Sequence, residues 1–421
     1  MFFIIICVAS HPGSQDPHRQ IGYHLCPIFP LPRIYARLLL VSPVFWCFLL
    51  RLWCLSAYLP FWSLWLEGIG VSAEMIGLLL GAGMAIRFAG NLMVMGQIKG
   101  AGHLLPVTRL LCLLSLLAFL GFYLSHNLWW LVGLTLVANF IYPTLMPVGE
   151  ALATRMVVQA HLDYGKVRLC GSFAFIVAST LVGALVGNFG SEWVLHTMVA
   201  GLLLMLLLSW LPLHPAPRDI QGERAKASLL DTLKSPQVRR FLLISALLQG
   251  SHAAYYGFSA IHWKAAGYSG TTIGYLWALG VVAEIGMFAA DKRFLNRFGA
   301  QTLFLVGALG CVVRWILLGA STEILVLVAG QLLHAVTFCV SHLGAVRFMT
   351  RQLPAEQLIP TQALYAALGL GMTVAALMTL CGLLYEPLGG RIFFLMVLVV
   401  LPVFVLRLRP AAPSGQGHVP V

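Results

Sequence analysis

Charge is the scarcest property of this chain. Only 10% of its 421 residues are Asp, Glu, Lys or Arg, and acidic residues number 14 against 26 basic ones, while 60% are hydrophobic. No soluble domain is built with so little charge over so much apolar surface, which excludes a soluble enzyme or cytosolic scaffold. Metal-ligand spacing is missing among the nine cysteines, and Cys112, Cys311, Cys339 and Cys381 sit inside apolar runs, as packing residues rather than disulfide partners. No metal triad, nucleophile–base pair or cofactor motif is seen, so neither enzymatic chemistry nor a cofactor or metal is expected. The apolar start Met1–Val8 lacks the basic residues of a signal peptide and is too short to span a bilayer.

What is present is a series of apolar runs close to the roughly 20 residues that cross a membrane. Twelve are read, at about 38–66, 75–95, 105–124, 128–151, 167–187, 193–211, 240–262, 271–290, 301–319, 324–346, 360–384 and 391–408. The pattern predicts an all-α membrane protein. Residues 212–238, carrying Pro212, Pro215 and Pro217 among Lys and Arg, interrupt the series at its midpoint as a polar cytoplasmic linker. Six runs on each side predict two six-helix bundles, 37–211 and 239–409, related by internal pseudo-symmetry. The proline-rich residues 1–36 read as a disordered or mis-annotated extension, and 410–421 as a disordered tail. A monomer in contact with membrane lipid is expected.

The excess of positive charge, +12 in all, is explained by where it lies and is no nucleic-acid signal. Loops after even-numbered runs hold nearly all the loop Lys and Arg, Lys99, Arg155, Lys166, Arg218, Lys234 and Arg297 among them. Loops after odd-numbered runs hold Lys264 and Arg391. The positive-inside rule then places both termini in the cytoplasm.

An ionised side chain in hydrocarbon costs at least ~2.5–3.5 kcal/mol, so each one inside a run is a candidate for function. Arg51, Arg87, Glu150, His252, Glu284, Arg314, His334 and His342 qualify. Arg87 reads as a helix-end residue snorkelling to the cytoplasm. Glu284 lies mid-run, where a carboxylate can serve in proton coupling. Arg314 and His334, on adjacent runs, can form a relay or a charge contact with each other. Glu150 and Arg168 flank one short hairpin, where they can hold a polar substrate, pair with each other, or alternate. The alternative for Arg168 is that it only marks the cytoplasmic end of its helix. On the seventh run Gln249, His252, Tyr256 and Ser259 share one helical face. A ring, an imidazole and an amide together suit an aromatic ligand with a polar end; ordinary helix packing is the competing explanation.

Three stretches carry a resemblance: Leu59-Pro-Phe-Trp62-Ser-Leu-Trp-Leu, Asp163-Tyr-Gly-Lys-Val-Arg168-Leu-Cys-Gly-Ser, and Gln249-Gly-Ser-His-Ala-Ala-Tyr-Tyr-Gly-Phe-Ser-Ala-Ile-His-Trp263. A fourth, Gly274-Tyr-Leu-Trp-Ala-Leu-Gly-Val-Val-Ala-Glu284, joins them. They resemble the major facilitator superfamily, in its lactose-permease-like branch with the phenylpropionate permeases. The resemblance runs from about Leu59 to Leu408. It implies the twelve-helix major facilitator fold and proton-coupled import of an aromatic monocarboxylate such as 3-phenylpropionate across a bacterial inner membrane. Sugar or nucleoside symport is the alternative, and a non-transporting sensor or scaffold a further one. The resemblance also implies that Glu150 and Arg168 hold substrate, that Phe175 stands where the branch stacks an aromatic ring on it, and that Arg314 and His334 belong to a proton-coupling site. The chain departs from the branch in having Thr337 where a coupling carboxylate is expected, and in carrying Glu284 further along its helix. Upstream of Leu59 the first run, Arg51 included, is unlike the Gly/Tyr/Phe-rich start that the resemblance implies.

Overall fold

The computed structural model describes residues 43–98, 100–159, 164–212 and 228–408. The expected tails 1–36 and 410–421, and most of the expected linker 212–238, lie outside the described residues. The rest is helical, because mean hydropathy of +0.89 leaves the backbone no water to bond with and a helix satisfies its own polar groups.

The helices in order are α1 (Pro43–Gly68), α2 (Ala73–Gln97), α3 (Leu104–Gly121), α4 (Leu128–Ile141), α5 (Leu145–Gln159), α6 (Tyr164–Phe189) and α7 (Glu192–Ser209). After the linker come the short α8 (Leu229–Lys234), then α9 (Pro236–Gly250), α10 (Ala253–Ala265), α11 (Gly270–Ala290), α12 (Ala300–Ala320), α13 (Ile324–His334) and α14 (Ser341–Gln352). The last are α15 (Ala355–Leu364), α16 (Thr373–Leu388) and α17 (Ile392–Val400). Several spans are made of two of these pieces. A tight turn at Tyr142–Thr144 joins α4 to α5, and wider π-type turns, Ala335–Val340 and Tyr365–Met372, join α13 to α14 and α15 to α16.

Ten stretches of the described residues are long and apolar enough to cross a membrane. The last of these, Glu356–Phe404, folds back at Gly389, whose φ of 52° is open to glycine at little cost, and so supplies two crossings. The α9–α10 pair is broken at Ser251–His252 and supplies one more, which gives twelve crossing helices. Interrupted spans of this kind are tolerated only where the loosened backbone faces protein or a cavity.

In the first half α1 packs on α6 and α7, α2 on α4, and α3 on α7; in the second, α12 packs on α13, α14 and α17. Two seams join the halves, α2 against α16 and α6 against α11. Both close on glycine. A Cβ built on Gly77 would meet the Gly382 Cα at 2.5 Å, and one on Gly183 would meet the Gly270 carbonyl oxygen at 2.6 Å. Small residues are what let helices approach this closely in a membrane. The outer surface is apolar where lipid would lie, with Leu325 and Trp129 fully displayed.

Candidate functional site

A cavity opens between the halves, with about 790 Å³ of empty space, its mouth included. Arg51, Leu55, Tyr58 and Trp62 line it from α1 at steps of four, three and four residues, one face of a helix. Arg87 comes from α2, Tyr142 from the turn that breaks the fourth span, and Tyr256 from α10 in the other half. The wall is a set of rings in contact. Tyr58 stacks on Trp62 at 5.2 Å and Trp62 on Trp65 at 4.5 Å, while Tyr142 lies 5.8 Å from Tyr58.

Arg51 is 3% exposed. Its Nη2 donates to Glu150 Oε1 at 3.0 Å, and its Nη1 donates to the Met146 carbonyl at 2.6 Å and the Leu145 carbonyl at 3.4 Å. The approach depends on Gly149, since a Cβ there would stand 2.8 Å from Arg51 Nη1. A guanidinium suits this position because its planar fork can serve several oxygens at once. Taking either ion out of water costs several kcal/mol, a cost that their pairing and the two carbonyls offset.

The odd arginine of the first span is thus a partner of Glu150 that the sequence reading missed; the stripe Arg51, Leu55, Tyr58, Trp62 was the available signal. Arg87 corrects a second expectation. It does not snorkel out of a helix end but borders the cavity, beside Tyr58 and Tyr142. Arg168 belongs to α6, and its side chain lies outside the described residues. Phe175 packs in a separate apolar cluster with Phe48, Leu52 and Val281, and it is not among the residues lining the cavity.

The second half holds a chain of polar groups. His334 Nε2 lies 2.9 Å from Glu284 Oε1, and His334 Nδ1 lies 2.7 Å from Arg314 Nη1. Arg314 Nη1 also donates to Thr337 Oγ1 at 3.1 Å, and Thr337 Oγ1 lies 3.0 Å from His252 Nε2. A guanidinium can only donate, so His334 accepts at Nδ1 and carries its proton on Nε2, which donates to Glu284. The same reasoning orients His252. Its Nδ1 faces the Leu248 carbonyl at 3.0 Å, which only accepts, so Nδ1 is protonated and Nε2 is an acceptor, sharing the Thr337 hydroxyl with the His334 carbonyl at 3.2 Å. Arg314 is fully buried, with its Cζ 4.4 Å from the centre of the Tyr255 ring and 4.7 Å from that of Trp315.

Arg314 and His334 therefore meet as the sequence suggests, from α12 and α13, and the structure adds Glu284 of α11 as the second partner of His334. The expected stripe on the seventh span divides. Tyr256 borders the cavity and stacks on His252 at 5.8 Å, and His252 closes the polar chain. Gln249 is buried away from the cavity, its amide without a hydrogen-bond partner among the described residues.

Residues 46–396 match the MFS_1 like family, which fills most of the chain. The chain belongs to this family. The match begins upstream of Leu59, so the family pattern takes in Arg51 and the first span, contrary to the expected limit of the resemblance. A relative in Escherichia coli (strain K12), the "Probable 3-phenylpropionic acid transporter", is 42% identical over 352 residues, covering 83% of this chain and 92% of that one. "Maltose permease" of Geobacillus stearothermophilus is 28% identical over 321 residues, covering 74% and 80%. Among solved structures, the nucleoside transporter NupG superposes with a TM-score of 0.71 at 15% identity, covering 86% of this chain and 96% of that chain. The last likeness shows the fold. Membership and fold together make this a multi-pass membrane transporter of the major facilitator type.

Proposed function

We propose that the protein imports an aromatic monocarboxylate, 3-phenylpropionate or a near analogue, into the bacterial cytoplasm in symport with protons. The observation that carries this reading is the cavity, where two guanidiniums, Arg51 and Arg87, face a wall of stacked rings. A carboxylate takes two parallel hydrogen bonds from one guanidinium. A phenyl ring gains from offset or edge-on contact with Tyr58, Trp62 and Tyr142. The substrate carboxylate exchanges with Glu150 on Arg51, so the cation is never left bare in the membrane. Arg168 is a further carboxylate contact in this reading, which the family resemblance supports.

Proton coupling resides in Glu284, His334 and Arg314. Protonating Glu284 removes the charge that His334 Nε2–H is bonded to, which loosens the chain through Arg314 and Thr337 to His252. Because His252 stacks on Tyr256, a change at Glu284 is felt at the cavity. In this reading both termini lie in the cytoplasm and the chain spans the inner membrane, which the basic loops after even-numbered spans support.

Uptake of labelled 3-phenylpropionate into membrane vesicles under an inward proton gradient tests the reading. Cinnamate should compete and lactose should not. Uptake that is insensitive to the gradient, or blocked equally by lactose, overturns it.

A further inference from the structure

We infer that the cavity reads a hydroxyl on the substrate's ring, so that hydroxylated 3-arylpropanoates are preferred over the unsubstituted acid. The inference rests on the aromatic-acid reading above and sharpens it from a class of acid to a substitution on the ring.

Two side chains of the cavity wall carry it, each with a buried polar atom that lacks a partner. Trp62 is 2% exposed and Tyr256 is 5% exposed, and both line the cavity. Neither Trp62 Nε1 nor Tyr256 Oη has a hydrogen-bond partner among the described residues. Leaving such a group buried and unpaired carries the full cost of stripping it of water. Two neighbouring rings on α1 do find partners. Tyr58 donates to Asn139 Oδ1 at 3.0 Å, and Trp65 donates to Glu192 Oε2 at 3.3 Å. Of the polar rings along this stretch of α1, Trp62 alone keeps its N–H for something else.

Position agrees with chemistry. Arg87 lies beside Tyr58, and Arg51 is further along α1 in the same direction away from Trp62. From Tyr58 to Trp62 the helix advances about 6 Å, comparable with the reach of a two-carbon arm and its ring. With the carboxylate at the guanidiniums, the far edge of the ring comes to Trp62. Tyr256 reaches the same cavity from α10, which packs against α1 across the two halves.

The class of group follows from the donor inventory. An indole N–H only donates, whereas a phenol both donates and accepts. A hydroxyl on the substrate answers both, its oxygen accepting from Trp62 while its hydrogen goes to Tyr256 Oη. A bare ring leaves both atoms as they are. A second carboxylate would need a cation, and the arginines of the lining are at the other end.

The test is equilibrium binding to the purified full-length protein. It compares 3-phenylpropionate, its 3- and 4-hydroxyphenyl analogues, and the methyl ethers of both. At least one hydroxylated acid should bind about tenfold more tightly than the unsubstituted acid, the equivalent of one hydrogen bond. Its methyl ether should lose that advantage. Tyr256→Phe and Trp62→Phe should each bring the ratio close to one, and because the ratio is read within each variant, general weakening of the pocket does not imitate the effect. Equal or tighter binding of the unsubstituted acid overturns the inference, with water then satisfying the two atoms. Failure of every acid to bind overturns the aromatic-acid reading itself, a different result.

Discussion

The two halves place a buried arginine in different company. In the first half, Arg51 is bonded directly to a carboxylate, Glu150, and to two backbone carbonyls at the edge of an aromatic cavity. In the second, Arg314 meets neutral groups, the His334 imidazole, the Thr337 hydroxyl and the faces of Tyr255 and Trp315, and His334 bridges it to Glu284. An arginine whose partner is an acid can trade that acid for a substrate anion. An arginine insulated by an imidazole instead orients the imidazole, and with it the proton shared with the carboxylate beyond. The proposed function accordingly assigns binding to the first half and proton handling to the second, with Tyr256 and His252 stacked at the junction.

Removing Arg51 should separate the halves most sharply. Arg51→Leu takes away one partner of a buried ion pair, which costs about 3–5 kcal/mol of stability and abolishes substrate binding. In the Arg51→Leu, Glu150→Gln double variant the thermal midpoint in detergent should recover while binding does not. Dissociation constants within threefold of the parent protein would take Arg51 out of the binding site.

Glu284→Gln should fail on the other axis. Accumulation against a gradient should collapse to equilibration, whereas exchange of external for internal substrate continues. Unchanged accumulation would move proton coupling elsewhere. A smaller change is expected at Arg168. Arg168→Lys keeps the charge but loses the fork, so the apparent KM should rise roughly tenfold with kcat little altered. A near-normal KM would remove Arg168 from the site. Least of all should come from Lys264 and Glu67, which pair at 3.4 Å across the halves with both side chains well exposed. Lys264→Met should shift stability by only about 0.2–1 kcal/mol, as exposed pairs do, with transport preserved.

The second half of the site was more legible in the sequence than the first, for a physical reason. Glu284, Arg314 and His334 each interrupt a long apolar run, and charges stranded in hydrocarbon must find one another. The contact of Arg314 with His334 follows from that cost, whereas the joining of Glu284 through His334 emerges only from the structure. Arg51 obeyed the same rule but was read against the family pattern, since its partner Glu150 lies on another helix far along the chain. Arg87 stands ten residues before the end of α2, nearly three turns inside it, and was misread because hydropathy does not show which face of a helix borders a cavity. The turns that break spans at Tyr142–Thr144 and Ser251–His252 left little trace in composition. They matter because they put Tyr142 at the cavity and His252 at Thr337. Phe175 was carried over by resemblance, and in this chain Phe48 and Leu52 of the first span enclose it in an apolar cluster instead.

Charge movement tests the division of labour most directly. An acid carrying one negative charge, bound at Arg51 and moved with one proton on Glu284, transfers no net charge. A pH step should then drive uptake into proteoliposomes at ~1.4 kcal/mol per unit. An inside-negative potassium diffusion potential at equal pH should leave it unchanged, although a neutral sugar with one proton would gain ~2.3 kcal/mol per 100 mV. Uptake driven by the pH step and indifferent to potential is the result predicted. Strong stimulation by potential alone, with the pH equal on both sides, would contradict one acid moving with one proton.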